Sequence, residues 1–432
     1  MIPALLHHAT TDYVARISIV EGYNTNTYQA QDDPNIPVLK RHPSPFTGID
    51  GDVEMRVQTS QKDLHIFRLG GRLEHYEPLT PQYQSDDGAM NAAYSSRYVL
   101  TPRTFVSFAA DAAVATLNGS HIADTTLFAF DPTLVRRTYW LSSLEGAVTH
   151  ELAPTWRIRQ SLGLVFAGTI SQPPSLLPNG QNVAHRGVDY LLPYVETDVF
   201  KDFTERTTGD LLLLYQYSYD LYVLDLTQNP PRNIGPDKMA FATVLAGHTY
   251  RWSPELVTSL HLGAVLGSAP PRDIDQRPVI SPAGLAELSY TREFWSFLAV
   301  AGYTYGTVNP RLGAGASASA SAALVGTPYR IGNWKNFSLL VNAQGSYSTL
   351  ATAAAQSTKL GLYAADGQFR YAINTWLGLL GGYQVRYATY DTQQFIPPFL
   401  QHIGFFGVSG YWSTDRSIPV LTQFSAPIAP PT

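Results

Sequence analysis

Between residues 52 and 58 the chain reads Asp52-Val53-Glu54-Met55-Arg56-Val57-Gln58, apolar and polar side chains alternating without a fault. Successive side chains leave a pleated strand on opposite sides, so a period of two marks a strand with one greasy and one wet face. The following segment repeats the pattern, with Phe67, Leu69, Gly71 and Leu73 opposed by Ile66, Arg68, Arg72 and Glu74. Further on, Leu211, Leu213, Tyr215, Tyr217, Tyr219, Leu221 and Val223 oppose Asp210, Gln216, Ser218 and Asp220. Near the end, Tyr363, Ala365, Phe369 and Tyr371 oppose Asp366, Gln368 and Arg370, while Leu377, Leu379, Tyr383, Val385 and Tyr387 oppose Gly378, Gln384 and Arg386.

These strands come in pairs around tight turns centred near Lys62, Pro102, Pro154, Phe203, Pro254, Glu293, Asn333 and Ile373. The turns recur roughly every 40 to 50 residues, which is an architectural period. Longer connections without strand pattern fall at 31–45, 78–88, 118–137, 172–186, 227–237, 270–282, 309–321, 351–357 and 389–398. They hold Pro173-Pro174, Pro230-Pro231, Pro270-Pro271 and Pro397-Pro398. Proline lacks the amide that a central strand needs, so its confinement there supports the boundaries. A leading strand around 13–27, two strands about each turn and a closing strand around 401–412 predict about eighteen in all, an even number. Segment 188–200 mixes Glu196 and Asp198 with Tyr190, Leu192 and Tyr194 on one face and contains Pro193, which predicts a bulge or bend. Segment 313–323 alternates Gly or Ser with Ala and reads equally as weak strand or loop.

Composition decides what such strands can build. Only 15% of residues are charged, against about 25% in soluble domains. Tyr, Phe and Trp number 26, 19 and 7. A formal charge of −5, with no basic block, excludes a nucleic-acid partner held by a basic surface. The absence of Cys excludes disulfides, thiolate metal sites and Cys nucleophiles. Strands of a soluble sandwich average about five or six residues, and a propeller blade divides its repeat into four. Here each repeat divides into two, at a length suited to the roughly 9 to 11 tilted residues that cross a hydrocarbon layer. In lipid every backbone donor must be paired within the protein, so such a sheet closes on itself. The expected fold class is all-β, one closed antiparallel transmembrane β-barrel with short periplasmic turns and long extracellular loops.

The amphipathic strands, short turns on one side, long loops on the other and aromatic strand ends together resemble the porin-like outer-membrane β-barrel proteins of bacteria. The resemblance spans nearly the whole chain. Its closing segment, Gln401-His402-Ile403-Gly404-Phe405-Phe406-Gly407-Val408-Ser409-Gly410-Tyr411-Trp412, is similar to the aromatic-ended terminal strand of such proteins, although about twenty residues follow it. The implied location is the bacterial outer membrane. The start, Met1-Ile2-Pro3-Ala4-Leu5-Leu6-His7-His8, has no basic region or long apolar run of a signal peptide and reads as the mature chain. The expected layout is an N-terminal periplasmic segment over 1–12, the barrel over 13–412 and a Pro-rich tail over 413–432.

A barrel of 16 to 18 strands is wide enough for an aqueous lumen. The predicted function is a porin-like channel for polar solutes, with polysaccharide export as a variant. The alternative is a structural barrel whose plugged lumen leaves it to bind partner proteins. Lumen or constriction candidates are Glu54, Arg56, Arg68, Arg72, Glu74, Arg157, Arg159, Asp366, Arg370 and Arg386, with Arg103, Asp111, Asp210 and Asp220 also expected inward. Their arginines suit either an anionic solute or pairing with lumen carboxylates. Outward Ala110, Ala112, Ala314, Ala316, Ala318 and Ala320 are candidate contacts for a second subunit or an accessory envelope protein. His150, His248 and His261 sit in no nucleophile elbow or zinc helix, so no enzyme, cofactor or metal is expected, and lipid is the implied surrounding.

Overall fold

The computed structural model describes residues 10–25, 43–60, 62–77, 86–116, 138–171, 187–221, 224–225, 232–233, 236–268, 278–292, 295–309, 313–326, 337–351, 357–390 and 399–414. In chain order the strands are β1 (Thr10–Asn24), β2 (Ser44–Gln58), β3 (Asp63–Tyr76), β4 (Asp86–Thr101), β5 (Thr104–Thr116), β6 (Thr138–Ala153), β7 (Trp156–Ser171), β8 (Gly187–Thr204) and β9 (Thr207–Asp220). After the two-residue pair β10 (Leu224–Asp225) and β11 (Arg232–Asn233) come β12 (Asp237–Arg251), β13 (Leu256–Gly267), β14 (Val279–Arg292), β15 (Trp295–Asn309) and β16 (Gly313–Gly326). The last are β17 (Phe337–Ala351), β18 (Ser357–Ala372), β19 (Leu377–Tyr390) and β20 (Phe399–Ser413).

All strands except β10 and β11 form one 18-stranded sheet. Each pairs antiparallel with its chain neighbour, and β9 steps directly to β12. The ring closes where β1 meets β20, with Arg16 opposite Tyr411, Ser18 opposite Ser409 and Val20 opposite Gly407. Both outermost strands therefore end at the rim that carries the short turns.

Alternation decides what each face touches. Ile17, Ile19, Leu69, Leu73, Met90, Leu162, Leu262 and Ile280 all point outward and stay exposed. That is an outer surface for acyl chains rather than water. Trp156, Trp252, Trp376 and Trp412 stand exposed at the short-turn rim, where an indole has both apolar and polar neighbours. Side chains fix several turns: Asn374 Oδ1 accepts from the amides of Trp376 and Leu377 at 2.9 and 2.8 Å, an Asx-type turn. In the β12–β13 turn the Ser253 hydroxyl donates to Glu255 at 2.7 Å, and that bond holds the carboxyl below its usual range.

The eighteen-strand expectation is met. Segment 313–323 is strand: Gly313 to Gly326 pairs with β15, and from Gly315 onward with β17, so the strandless connection predicted over 309–321 is corrected from Gly313 on. Gly, Ala and Ser keep the period of two while supplying almost no hydrophobic contrast, which hid the strand from the pattern. The turn predicted at Phe203 lies instead at Glu205 and Arg206, leaving Phe203 an exposed outward residue of β8. The positions read as turns at Glu293 and Asn333 fall outside the described residues. The irregularity expected in 188–200 occurs as a register shift at Ala167/Gly168 opposite β8. Inside the ring, apolar packing gathers toward the long-loop end in three patches: Ala115, Val165, Ala167 and Tyr190; Met239, Phe241, Val265, Ala283 and Tyr305; and Val20, Phe46, Tyr76, Leu380 and Ile403.

Placing arginine at Leu262, mid-strand on β13, is expected to destabilise the folded protein by about 2–4 kcal/mol, and arginine at Leu256, the first residue of the same strand, by about 0–1 kcal/mol. Denaturant titration in lipid vesicles measures both. Equal costs would deny the hydrocarbon depth difference.

Candidate functional site

The candidate site is the lumen wall itself, and its charges fall into two separate arcs. On β1–β3, Glu54 receives Arg56 Nε at 2.7 Å from its own strand and Arg68 Nε at 2.6 Å from β3. At the next inward positions of β2, Arg16 Nε donates to Asp52 at 2.6 Å and its Nη2 lies 3.1 Å from Asp50. Arg72 contacts Glu74, which also accepts from the Tyr76 hydroxyl at 2.7 Å. Cross-strand register sets Glu54 opposite Arg68 and Asp52 opposite Arg16, while Arg56–Glu54 and Arg72–Glu74 are successive inward residues of one strand.

Burial grades along this arc. Arg56 and Arg68, near the short-turn rim, have side chains 45% and 53% exposed, whereas Glu74, toward the long loops, is 2% exposed. On this arc the charged side chains are thus exposed near the short-turn end and buried toward the other.

The second arc runs over β6–β9. Arg159 Nη2 donates to Glu145 at 2.6 Å, and its Nη1 to Glu196 at 2.9 Å and Asp198 at 3.4 Å. One planar cation therefore answers three carboxylates from the two strands that flank its own, through both arms of the guanidinium fork. Tyr194 adds a hydroxyl bond to Glu145 at 2.9 Å. Its ring crosses Gly163, where a Cβ would stand 2.1 Å from the ring. Arg157 donates to Asp202 at 3.2 Å, and Thr208 donates to the same oxygen at 2.7 Å. Beyond it His261 Nε2 lies 2.8 Å from Asp210, reaching across β12 at Gly247, whose added Cβ would meet both side chains within 2.5 Å.

Opposite these arcs, β15–β17 present Ser317, Ser319, Ser321, Asn342, Gln344, Ser346 and Ser348 inward, with Ser348 donating to Ser317 at 3.0 Å. The described inner face of those three strands carries hydroxyls and amides and no charge.

The sequence-derived candidates take these places. Glu54, Arg56, Arg68, Arg72 and Glu74 form the first arc, and Arg157 and Arg159 belong to the second. Asp366 stands opposite Asn342 and Gln384, Arg370 is buried opposite Ser338 and Leu380, and Arg386 faces Gln401. Asp111 accepts from Ser143, Asp210 and Asp220 are inward, and Arg103 sits in the β4–β5 turn. Reasoning from sequence passed over Arg16, Asp50, Glu145 and the His261–Asp210 pair. Continuing the alternation of β2 by one step would have reached Asp50, and Glu145 meets Arg159 across a single hairpin, but Arg16 and the His261–Asp210 pair depend on register between strands further apart in the chain. Ala110 and Ala112 point outward beside Tyr94 and Ala92. Ala318 and Ala320 are exposed on the outward row of β16, Ala316 is partly buried against Tyr305 and its neighbours, and the side chain of Ala314 lies outside the described residues.

No family model matches the chain, and no curated protein does. Among solved structures it is similar to a BenF-like porin from Pseudomonas fluorescens Pf-5, at 10% identity over 95% of this chain and 100% of that one, with a TM-score of 0.42. It is also similar to the outer membrane protein opdK from Pseudomonas aeruginosa, at 12% identity over 94% and 99% with a TM-score of 0.39. The copper transporter OprC matches at 9% identity over 93% and 80% with a TM-score of 0.44. Resemblance at this level assigns neither a family nor a cargo.

Replacing Arg159 with Met leaves three carboxylates without their shared cation and is expected to cost about 1–3 kcal/mol at neutral pH. Arg56→Met, at an exposed pair, should cost under about 1 kcal/mol. Chemical denaturation of the two variants side by side measures the difference, and a reversed order would refute the description of Arg159 as the hub of its arc.

Proposed function

We propose that the chain is a channel of a bacterial outer membrane that passes polar solutes without catalysis. One observation carries this reading: an 18-stranded ring closes completely, with an apolar outside and an inside that carries ion pairs, hydroxyls and amides beside its apolar patches. A ring of that size encloses more cross-section than wall side chains fill. Short turns then face the periplasm and long connections the exterior. Export of a polysaccharide is a narrower form of the same reading, and the uncharged hydroxyl and amide arc of β15–β17 supports it.

A second reading has its own support. Inward residues toward the long-loop end are buried, with Phe46 and Phe241 at 1% and Ile403 at 0% exposure. A lumen closed at that end suits a scaffolding barrel, held to a second subunit or an accessory envelope protein over the outward alanines of β5 and β16.

Reconstitution in planar lipid bilayers separates the two. The channel reading expects stepwise current increments that scale with salt concentration. Protein shown to be inserted, by its faster gel migration before boiling, yet electrically silent would abandon the pore and leave the scaffold.

A further inference from the structure

Resting on the channel reading, we propose that the β6–β9 arc is a subsite for small organic cations bearing several N–H donors, an ammonium or a guanidinium group. Three carboxylates, Glu145, Glu196 and Asp198, converge on the single guanidinium of Arg159. Tyr194 supplies one further donor, to Glu145. Each carboxylate has about four acceptor positions, so the arc holds more negative charge and more lone pairs than its own donors use. An independent feature lies in the same wall. Ser161 stands directly opposite Glu196 in the β7–β8 register, is 2% exposed, and its Oγ has no hydrogen-bond partner. A buried hydroxyl left unpaired is uncommon enough to call for a missing partner.

The chemistry of that partner follows from what surrounds it. Carboxylates reject an anion, and a neutral solute leaves their charge unanswered. Among the described residues no grouping of His, Asp and Glu is suited to a metal ion. A cation with several N–H groups answers both the surplus acceptors and the hydroxyl, and Arg159 shows that a planar one fits: the arc already holds a tethered guanidinium across three strands. A diffusing cation of the same kind shares or displaces it.

The test uses the full chain in planar bilayers under potassium chloride. Guanidinium chloride is expected to reduce the potassium current at concentrations where tetramethylammonium, equally charged but without N–H donors, does not. The double variant Glu196→Gln, Asp198→Asn should weaken that block roughly tenfold, and Ser161→Ala should weaken it severalfold. Asp198→Asn alone keeps the comparison available if the double variant fails to insert. Equal block by the two cations, or block unchanged in an inserted Asp198→Asn variant, overturns the subsite while the channel stands. A wild-type protein that inserts and carries no current overturns the channel reading itself.

Discussion

The ring of backbone hydrogen bonds is the constraint on which everything else depends. A sheet whose outer face meets hydrocarbon has no water to satisfy an open edge, so the first and last strands must find each other. Once β1 lies against β20, each strand has two neighbours and each residue one of two environments. The period of two in the sequence is the record of that partition. It places Leu69 and Leu73 outside while Arg68, Arg72 and Glu74 line the interior.

Ion pairing then shapes the interior. A guanidinium partly removed from water needs acceptors close by, and antiparallel register supplies them from adjacent strands. The two charged arcs differ in balance. On β1–β3 arginines and acids alternate closely enough to neutralise one another, whereas on β6–β9 the carboxylates outnumber the guanidiniums. With the hydroxyl-lined wall of β15–β17 between them, a solute inside meets three chemically distinct sectors.

Strand number, closure and facing were legible in the sequence because they depend on periodicity and on where proline is allowed. Val53, Met55 and Val57 announce an outward face with no knowledge of any partner. The β16 strand was only half legible, since Ala and Ser differ too little in hydrophobicity to declare a side. The β6–β9 arc was hidden for another reason. Glu145 and Arg159 meet through a hairpin, but Arg159 with Glu196 and Asp198 needs the register of β7 on β8, shifted at Gly168, and His261 reaches Asp210 only because Gly247 leaves a gap. The sequence left the arginines either facing an anionic solute or pairing with lumen carboxylates, and Arg159 takes the second role.

Val14 of the first strand and Ser413 of the last become neighbours along the closing seam. Any shorter chain emerging from synthesis therefore has two sticky borders and no lid for either, and ordinary solution offers them only one another or a stranger. The ring therefore seals only once Phe399–Ser413 is in place, so the segment that completes the wall is the one made after every other strand.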